Sequence, residues 1–236
     1  MSKVSYDAAN MRITVDSDEV ERALGDLKSK TPAVLKVAVN RTAREARRMM
    51  IKAAKKRYAL NAAGVKQLDY LKQTKKASNA DPAAELHIGG GTPGGLRNDM
   101  GYFKTNPASP THFTGGAWRN GPSVWTGKVL KESSMKPLPG RGSRSKAFLA
   151  QFKSGHVGMV QRVKGSSSSH TVTEISGAPR WRNSQGKVEK LITLGSPSAA
   201  GMHHIVWEQV EPDVETILDQ HVERRIQQLL AKAGKV

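Results

Sequence analysis

The sequence contains no cysteine. That excludes disulfides, thiol nucleophiles and thiolate metal sites together. Aromatic side chains are scarce at 5%, and aliphatic and aromatic residues together reach 37% beside 22 glycines. The balance points to a modest core with long loops, not to a dense enzyme interior. No apolar run approaches the ~20 residues of a membrane helix, and residues 1–16 lack the apolar core of a signal segment. These absences lead us to expect a protein that stays and works inside the cell that makes it. Negative charge is also in short supply, with 20 acidic against 38 basic residues and a net of +18. At 236 residues the chain has room for one large domain or two small ones.

What is present is concentrated in residues 31–58. Thr31 suits a helix cap and Pro32 a first helical position. No further Gly or Pro interrupts the run to Tyr58, which predicts a rod of roughly 40 Å at about 1.5 Å per residue. Leu35, Ala38, Val39, Thr42, Ala46, Met49 and Ala53 recur at helical spacing as a mostly apolar face. Arg41, Arg44, Arg48, Lys52 and Lys55 step by three or four and share another face. Like charges at this spacing repel. The helix therefore needs packing on its apolar side, and its basic side meets solvent or an acidic partner. Residues 41–76 hold 12 basic and 2 acidic side chains, whereas 207–236 hold 4 and 6. A basic first half and an acidic tail suit contact with polyanions or association of unlike surfaces. A merely solvated basic face accounts for the charge equally well.

Around this helix the pattern predicts a strand over 11–15 and a helix opened by Ser17 with Val20, Ala23, Leu24 and Leu27 on one side. A short helix over 62–77 follows, with Val65, Leu68 and Leu71 as its apolar side, then a strand over 85–88. Residues 89–122, with nine glycines and four prolines, read as a long loop ordered only by a partner. Strands are expected over 124–131, 147–152, 157–164, 171–175 and 187–194, with 154–156 as a hairpin turn and 137–145 as a turn region. Residues 212–233 form an amphipathic helix carrying Val214, Ile217, Leu218, Val222, Ile226, Leu229 and Leu230. Helices, then strands, then one helix make an α+β fold. Its long basic N-terminal helix and C-terminal amphipathic helix pack on an antiparallel sheet, with a long Gly/Pro-rich loop. We read one domain over 1–236. Within it, 1–30 is a strand and helix, 31–77 a basic helical segment, 78–206 a sheet region with the loop 89–122, and 207–236 the C-terminal helix.

Catalytic signals are weak. Residues 89–94 match three spaced glycines, but Pro93, Gly94 and Gly95 stand where a phosphate-binding helix should start, and no acidic residue follows about 20 positions later. Ser133/Lys136 and Ser143/Lys146 have an acylating-enzyme spacing but sit in Pro/Gly-rich turns. His203 and His204 are adjacent, so a regular element points them apart. His87, His112, His156, His170 and His221 are dispersed and lack carboxylate partners nearby in sequence, and His221 reads as a packing residue. We expect no enzyme activity, no metal and no cofactor. Trp118 with Arg119, Trp125, and Arg180-Trp181-Arg182 are candidate anchors of a protein interface, with base stacking the second reading.

The order of pieces resembles the minor tail protein Z, or tail completion, family of long-tailed bacteriophages and prophages. The resemblance starts at Ala38-Val39-Asn40-Arg41-Thr42-Ala43 and passes the basic segment to Ala77 and Leu86-His87-Ile88. It resumes at Ala147-Phe148 and Gly158-Met159-Val160-Gln161-Arg162. It ends with Ile192-Thr193-Leu194, the turn Gly195-Ser196-Pro197-Ser198, and Met202. In outline it spans 32–230, and the loop 89–122 is longer than the family pattern requires. The resemblance implies a non-enzymatic structural protein of the virion, made in the host cytoplasm and placed at the head-proximal end of the tail. It implies a homo-oligomeric ring, often of six copies. The implied partners are tail terminator, tail tube and head connector proteins, with genomic DNA in the lumen and no membrane. Two other classes stay open: a free basic nucleic-acid-binding protein, and a hydrolase with an unrecognised site.

Overall fold

The computed structural model describes residues 2–7, 10–88, 99–109, 123–151, 156–166 and 189–234. It is a mixed α+β fold with antiparallel sheets and two long helices. The chain divides into two compact units that interleave along the sequence. The first comprises Met1–Ala54, Gln67–Leu96 and Ala199–Val236, and the second Lys55–Lys66 and Arg97–Ser198.

In the first unit a four-stranded sheet is ordered β1-β2-β4-β3. Its strands are β1 (Ser2–Asp7), β2 (Asn10–Val15), β3 (Leu71–Lys75) and β4 (Ala84–Ile88), all antiparallel. Met11, Ile13, Leu71, Leu86 and Ile88 alternate onto the buried face. The predicted strands at 11–15 and 85–88 are therefore present. β1 carries too few apolar residues to be read from pattern and is ordered by pairing with β2. The helix expected over 62–77 is corrected: α3 (Ala62–Leu68) stops early, and β3 takes the second half. Leu71 and Gln73 gain a ladder against Ile88 and Leu86, which one more helical turn could not supply.

α1 (Ser17–Leu24) buries Val20 and Leu24 but leaves Ala23 exposed. Its cap is Asp16, whose carboxylate accepts from the Asp18 amide at 2.9 Å, and not Ser17. A 3₁₀ segment (Gly25–Lys30) then runs into α2 (Thr31–Arg57). Thr31 is already helical at φ −48°, ψ −49°, and its hydroxyl is buried without a partner. Its expected capping role is thus replaced by continuity with the preceding turn. α2 buries Val34, Leu35, Ala38, Val39, Thr42, Ala43, Ala46, Met50, Ile51 and Ala54, the face expected from periodicity; Met49 and Ala53 flank it half-buried.

The last helix starts much earlier than expected. α4 runs over Ala199–Lys232 and passes straight through Pro212. An internal proline costs about 3 kcal/mol, but Met202, His203, Val206, Trp207 and Val210 are all buried before it. At about 0.8 kcal/mol per buried CH₂ their burial outweighs that cost. α4 lies against β1, where Tyr6 stacks on Trp207 at 5.6 Å and 17°.

Among the described residues the second unit contains two three-stranded antiparallel sheets. One is ordered β5-β6-β7, from β5 (Lys104–Asn106), β6 (Thr126–Lys128) and β7 (Lys136–Pro137). The other is β10-β9-β8, from β8 (Phe148–Gln151), β9 (Val157–Val163) and β10 (Lys190–Thr193). The expected hairpin of 147–152 with 157–164 is the β8–β9 pair; residues 152–155 of its connection, like 171–175, lie outside the described residues. The expectation that 89–122 is irregular until a partner orders it is corrected for 99–109. That stretch holds a 3₁₀ turn (Met100–Tyr102) and β5, with Asp99, Phe103 and Thr105 buried. Gly101 makes the turn possible: a Cβ there would stand 2.7 Å from the Val157 carbonyl and 2.9 Å from the Met159 nitrogen. Residues 89–98 and 110–122 lie outside the described residues.

Candidate binding face on the basic helix

The basic side chains of α2 stand opposite its buried face. Arg41, Arg44, Arg48, Lys52 and Lys55 are all exposed, and the first four belong to the first unit. Only Glu45 supplies negative charge along the helix. It pairs with Arg41 at 3.5 Å across one turn. Arg44, Arg48 and Lys52 have no ion pair among the described residues. The face is therefore a row of solvated cations with little internal neutralisation, suited to binding an anionic surface and not to covalent chemistry.

Two other polar residues of α2 are used to hold the helix to the sheet. Arg47 turns off the stripe. Its Nε donates to the Leu71 carbonyl at 2.6 Å, and its guanidinium lies 3.7 Å from the Asp69 carboxylate. Asn40 donates to the Lys36 and Ala77 carbonyls at 2.9 and 2.8 Å and accepts from the Ala77 amide at 3.0 Å and from Gln73 at 2.9 Å. These clamps fix the orientation in which the stripe is displayed. Periodicity gives no hint of them, because the partners outside the helix lie 22 to 37 residues away.

On the far side of α2, Thr42 meets His221 of α4, with Oγ1 and Nδ1 3.0 Å apart. His221 Nε2 lies 3.6 Å from Glu45. Burial holds the His221 pKa below the usual histidine range, Glu45 opposes that shift, and Arg41 and Arg224 add to it. His221 is the packing residue its position suggests. His203 and His204 do point apart: His203 is fully buried and His204 exposed. His203 Nε2 donates to the Leu68 carbonyl at 3.2 Å while its Nδ1 has no partner. Burial lowers its pKa to about 4, so the ring is neutral near pH 7.

The second unit holds a polar cluster that the sequence does not reveal. Asp99 is 1% exposed. Its Oδ1 accepts from the Gly101 and Met159 amides at 2.7 and 3.0 Å, and its Oδ2 accepts from His156 Nε2 at 2.7 Å. The other ring nitrogen, Nδ1, faces the Tyr102 hydroxyl at 3.5 Å. Asp99 thus satisfies the 3₁₀ turn, β9 and His156 at once, as a clamp would. His156 has the carboxylate partner that its sequence neighbourhood lacks, because Asp99 lies 57 residues away.

The remaining expected site residues scatter. Trp118, Arg180, Trp181 and Arg182 lie outside the described residues, as does the glycine run 89–94. Trp125 is 2% exposed in the second unit, so its ring fills a core and offers no outer surface to a partner. Gly195 is exposed, and Ser196, Pro197 and Ser198 are half-buried immediately before α4. The turn is tied by Leu194, whose amide donates to Met159 at 2.7 Å and whose carbonyl accepts from Met100 at 2.9 Å. Met202 is buried in the first unit. Among the described residues no group of three or more His, Asp or Glu is placed to hold a metal ion, and no helix is long and apolar enough to cross a membrane.

Comparison of the chain with protein-family models, with curated proteins and with solved structures finds no match in any of the three.

Proposed function

We propose that this chain is a non-enzymatic structural protein of a phage virion, a minor tail or tail completion protein at the head-proximal end of the tail. In this reading it assembles as a ring, often of six copies, in late tail assembly. Its neighbours are the tail terminator, tail tube and head connector proteins, and genomic DNA passes the lumen. Two things support the reading. One is the resemblance, whose layout is a basic N-terminal helix, a sheet, a Gly-Pro-Ser turn, then an amphipathic C-terminal helix. The other, which carries most weight, is the exposure of Arg41, Arg44, Arg48 and Lys52 on a helix whose opposite face is fully used. An assembly protein needs charged surface of this kind more than it needs convergent catalytic groups.

Co-sedimentation of the purified protein with tails assembled without it tests the proposal. Saturable binding at a small fixed number of copies per tail is the expected result. Charge reversal of Arg44, Arg48 and Lys52 should reduce it while leaving the melting temperature nearly unchanged. No binding to tails refutes the reading.

The same exposed cations favour one alternative, a free nucleic-acid-binding protein. That alternative requires duplex affinity falling with salt at a log–log slope of about −0.9 per phosphate neutralised, and absence of binding at low salt ends it.

A further inference from the structure

α2 has a counterpart of opposite sign in the same unit. On α4, Glu208, Glu211, Glu215 and Asp219 are spaced by three, four and four residues. Arg41, Arg44, Arg48 and Lys52 on α2 have the same three spacings in the same order. Equal spacing on two α-helices means equal axial length, about 16 Å, and nearly equal angular drift. Glu208, Glu215 and Asp219 are exposed and Glu211 is half-buried. Glu208, Glu211 and Glu215 carry no ion pair among the described residues.

The two rows do not neutralise each other within one copy. α2 and α4 meet through Thr42 and His221. At about 100° per residue, each row lies well round its helix from that contact. No ion pair among the described residues joins them. Arg41 is paired with Glu45; the remaining cations Arg44, Arg48 and Lys52, and the carboxylates Glu208, Glu211 and Glu215, repel one another within their own rows, so each row is improved by an opposite row on another molecule.

A second observation marks the same surfaces. Three large apolar side chains are exposed among the described residues: Val37 at 45%, Ile205 at 43% and Leu130 at 36%. Val37 is one turn before Arg41, on the line of the basic row. Ile205 is one turn before Glu208, beside the acidic row. Each charged row thus begins with an exposed apolar residue at its N-terminal end. A parallel alignment brings the two together while Arg41, Arg44, Arg48 and Lys52 face Glu208, Glu211, Glu215 and Asp219.

We infer that α4 of one copy docks in parallel along α2 of the next, so that the chain's main partner is a second copy of itself. The two surfaces differ, so the contact is heterologous and propagates; it closes into a ring or runs on as a filament. The inference deepens the ring reading by naming the surfaces that would form it, and closure into a ring rests on that reading.

Sedimentation velocity on the full chain tests it without tails. Wild type should associate at about 50 mM salt and dissociate toward monomer near 0.5 M, where the screening length falls to a few ångströms. The triple variant Arg44→Glu, Arg48→Glu, Lys52→Glu should stay monomeric at low salt, and so should Glu208→Lys, Glu215→Lys, Asp219→Lys. An equimolar mixture of the two should associate again, because each then offers what the other lacks. Arg41→Glu should be rescued by Glu208→Arg in the same chain and not by Asp219→Arg, which fixes the parallel register. Melting curves confirm folding, and if a triple variant fails to fold, Arg48→Glu and Glu215→Lys replace the triples with a smaller shift in association.

A wild type that is monomeric at every concentration, or triple variants that associate like wild type, overturns the inference. So does loss of duplex-DNA binding in the α2 variant with association intact, which makes a polyanion the occupant of α2. A protein that associates through these rows yet ignores tails keeps this inference and fails the tail reading. One that decorates tails while its triple variants associate unchanged fails this inference alone.

Discussion

In the first unit the buried titratable groups are two histidines on α4, His203 and His221, and burial keeps both toward the neutral form. In the second unit Asp99 is a buried carboxylate, surrounded by two backbone amides and an imidazole. The contrast follows from the elements that surround each group. Helix interiors spend their amides on their own carbonyls, so a side chain buried between helices finds few donors, and His203 keeps an unpartnered nitrogen. Strand ends and a 3₁₀ turn have amides left over, and a carboxylate can collect them. A polar residue buried in the first unit is tolerated as a neutral ring, whereas one buried in the second organises the structure around it.

The largest test of this contrast is Asp99→Ala. It strands the Gly101 and Met159 amides, each at about 1–3 kcal/mol when left unsatisfied, and removes the His156 contact. A loss of about 3–5 kcal/mol is expected, confined to the second unit. Native-state hydrogen exchange should show faster exchange at Met159 and Gly101, with Val206 and Leu218 in α4 unaffected. Equal acceleration in both units would break the contrast.

Acid should act on the first unit. The unfolded chain takes up a proton at His203 as pH falls through 6.5, while the folded chain resists until about 4. The stabilising contribution is therefore complete above pH 6.5 and lost progressively between 6.5 and 4. It amounts to about 3 kcal/mol. His221 shifts in the same direction. His203→Gln keeps a donor for the Leu68 carbonyl and removes the titration. Urea midpoints across that pH range should flatten in the variant, and an unchanged acid limb would show that His203 is not its source.

The smallest expected effect is at Tyr6. Its hydroxyl is buried without a partner, and burial raises its pKa to about 12. Tyr6→Phe removes that cost and keeps the stack on Trp207, so stability should stay within about 0.5 kcal/mol or rise slightly. A loss above about 1 kcal/mol would mean that the hydroxyl is satisfied in solution.

Much of the fold was legible from local pattern. α2, β2, β4 and the β8–β9 pair were readable because their apolar spacing is unambiguous over their own length. Pro212 points to a helix start, since a proline ordinarily opens a helix, but six buried residues of α4 precede it. Residues 71–75 fit a helix by local pattern, because Leu68 and Leu71 suit both periods until β4 supplies a ladder. Of the candidate site, the exposed basic row was legible, while Arg47 and Asn40, which orient it, were not. Trp125 reads as an anchor by residue type alone, and only the packed second unit shows its ring enclosed.

What the sequence determined by itself is the long helix with its apolar and basic faces, the acidic counterpart near the C-terminus and the α+β class. These are properties of residues within a few turns of one another, and helical geometry converts their spacing directly into faces. The tertiary structure alone decided that Asp99 serves His156 across 57 residues and that Thr42 meets His221 across 179. It also decided that the chain interleaves two units and that the charged rows of α2 and α4 both look outward. Such contacts join segments whose local sequences carry no mark of each other, so only packing and hydrogen-bond satisfaction in the folded chain select them.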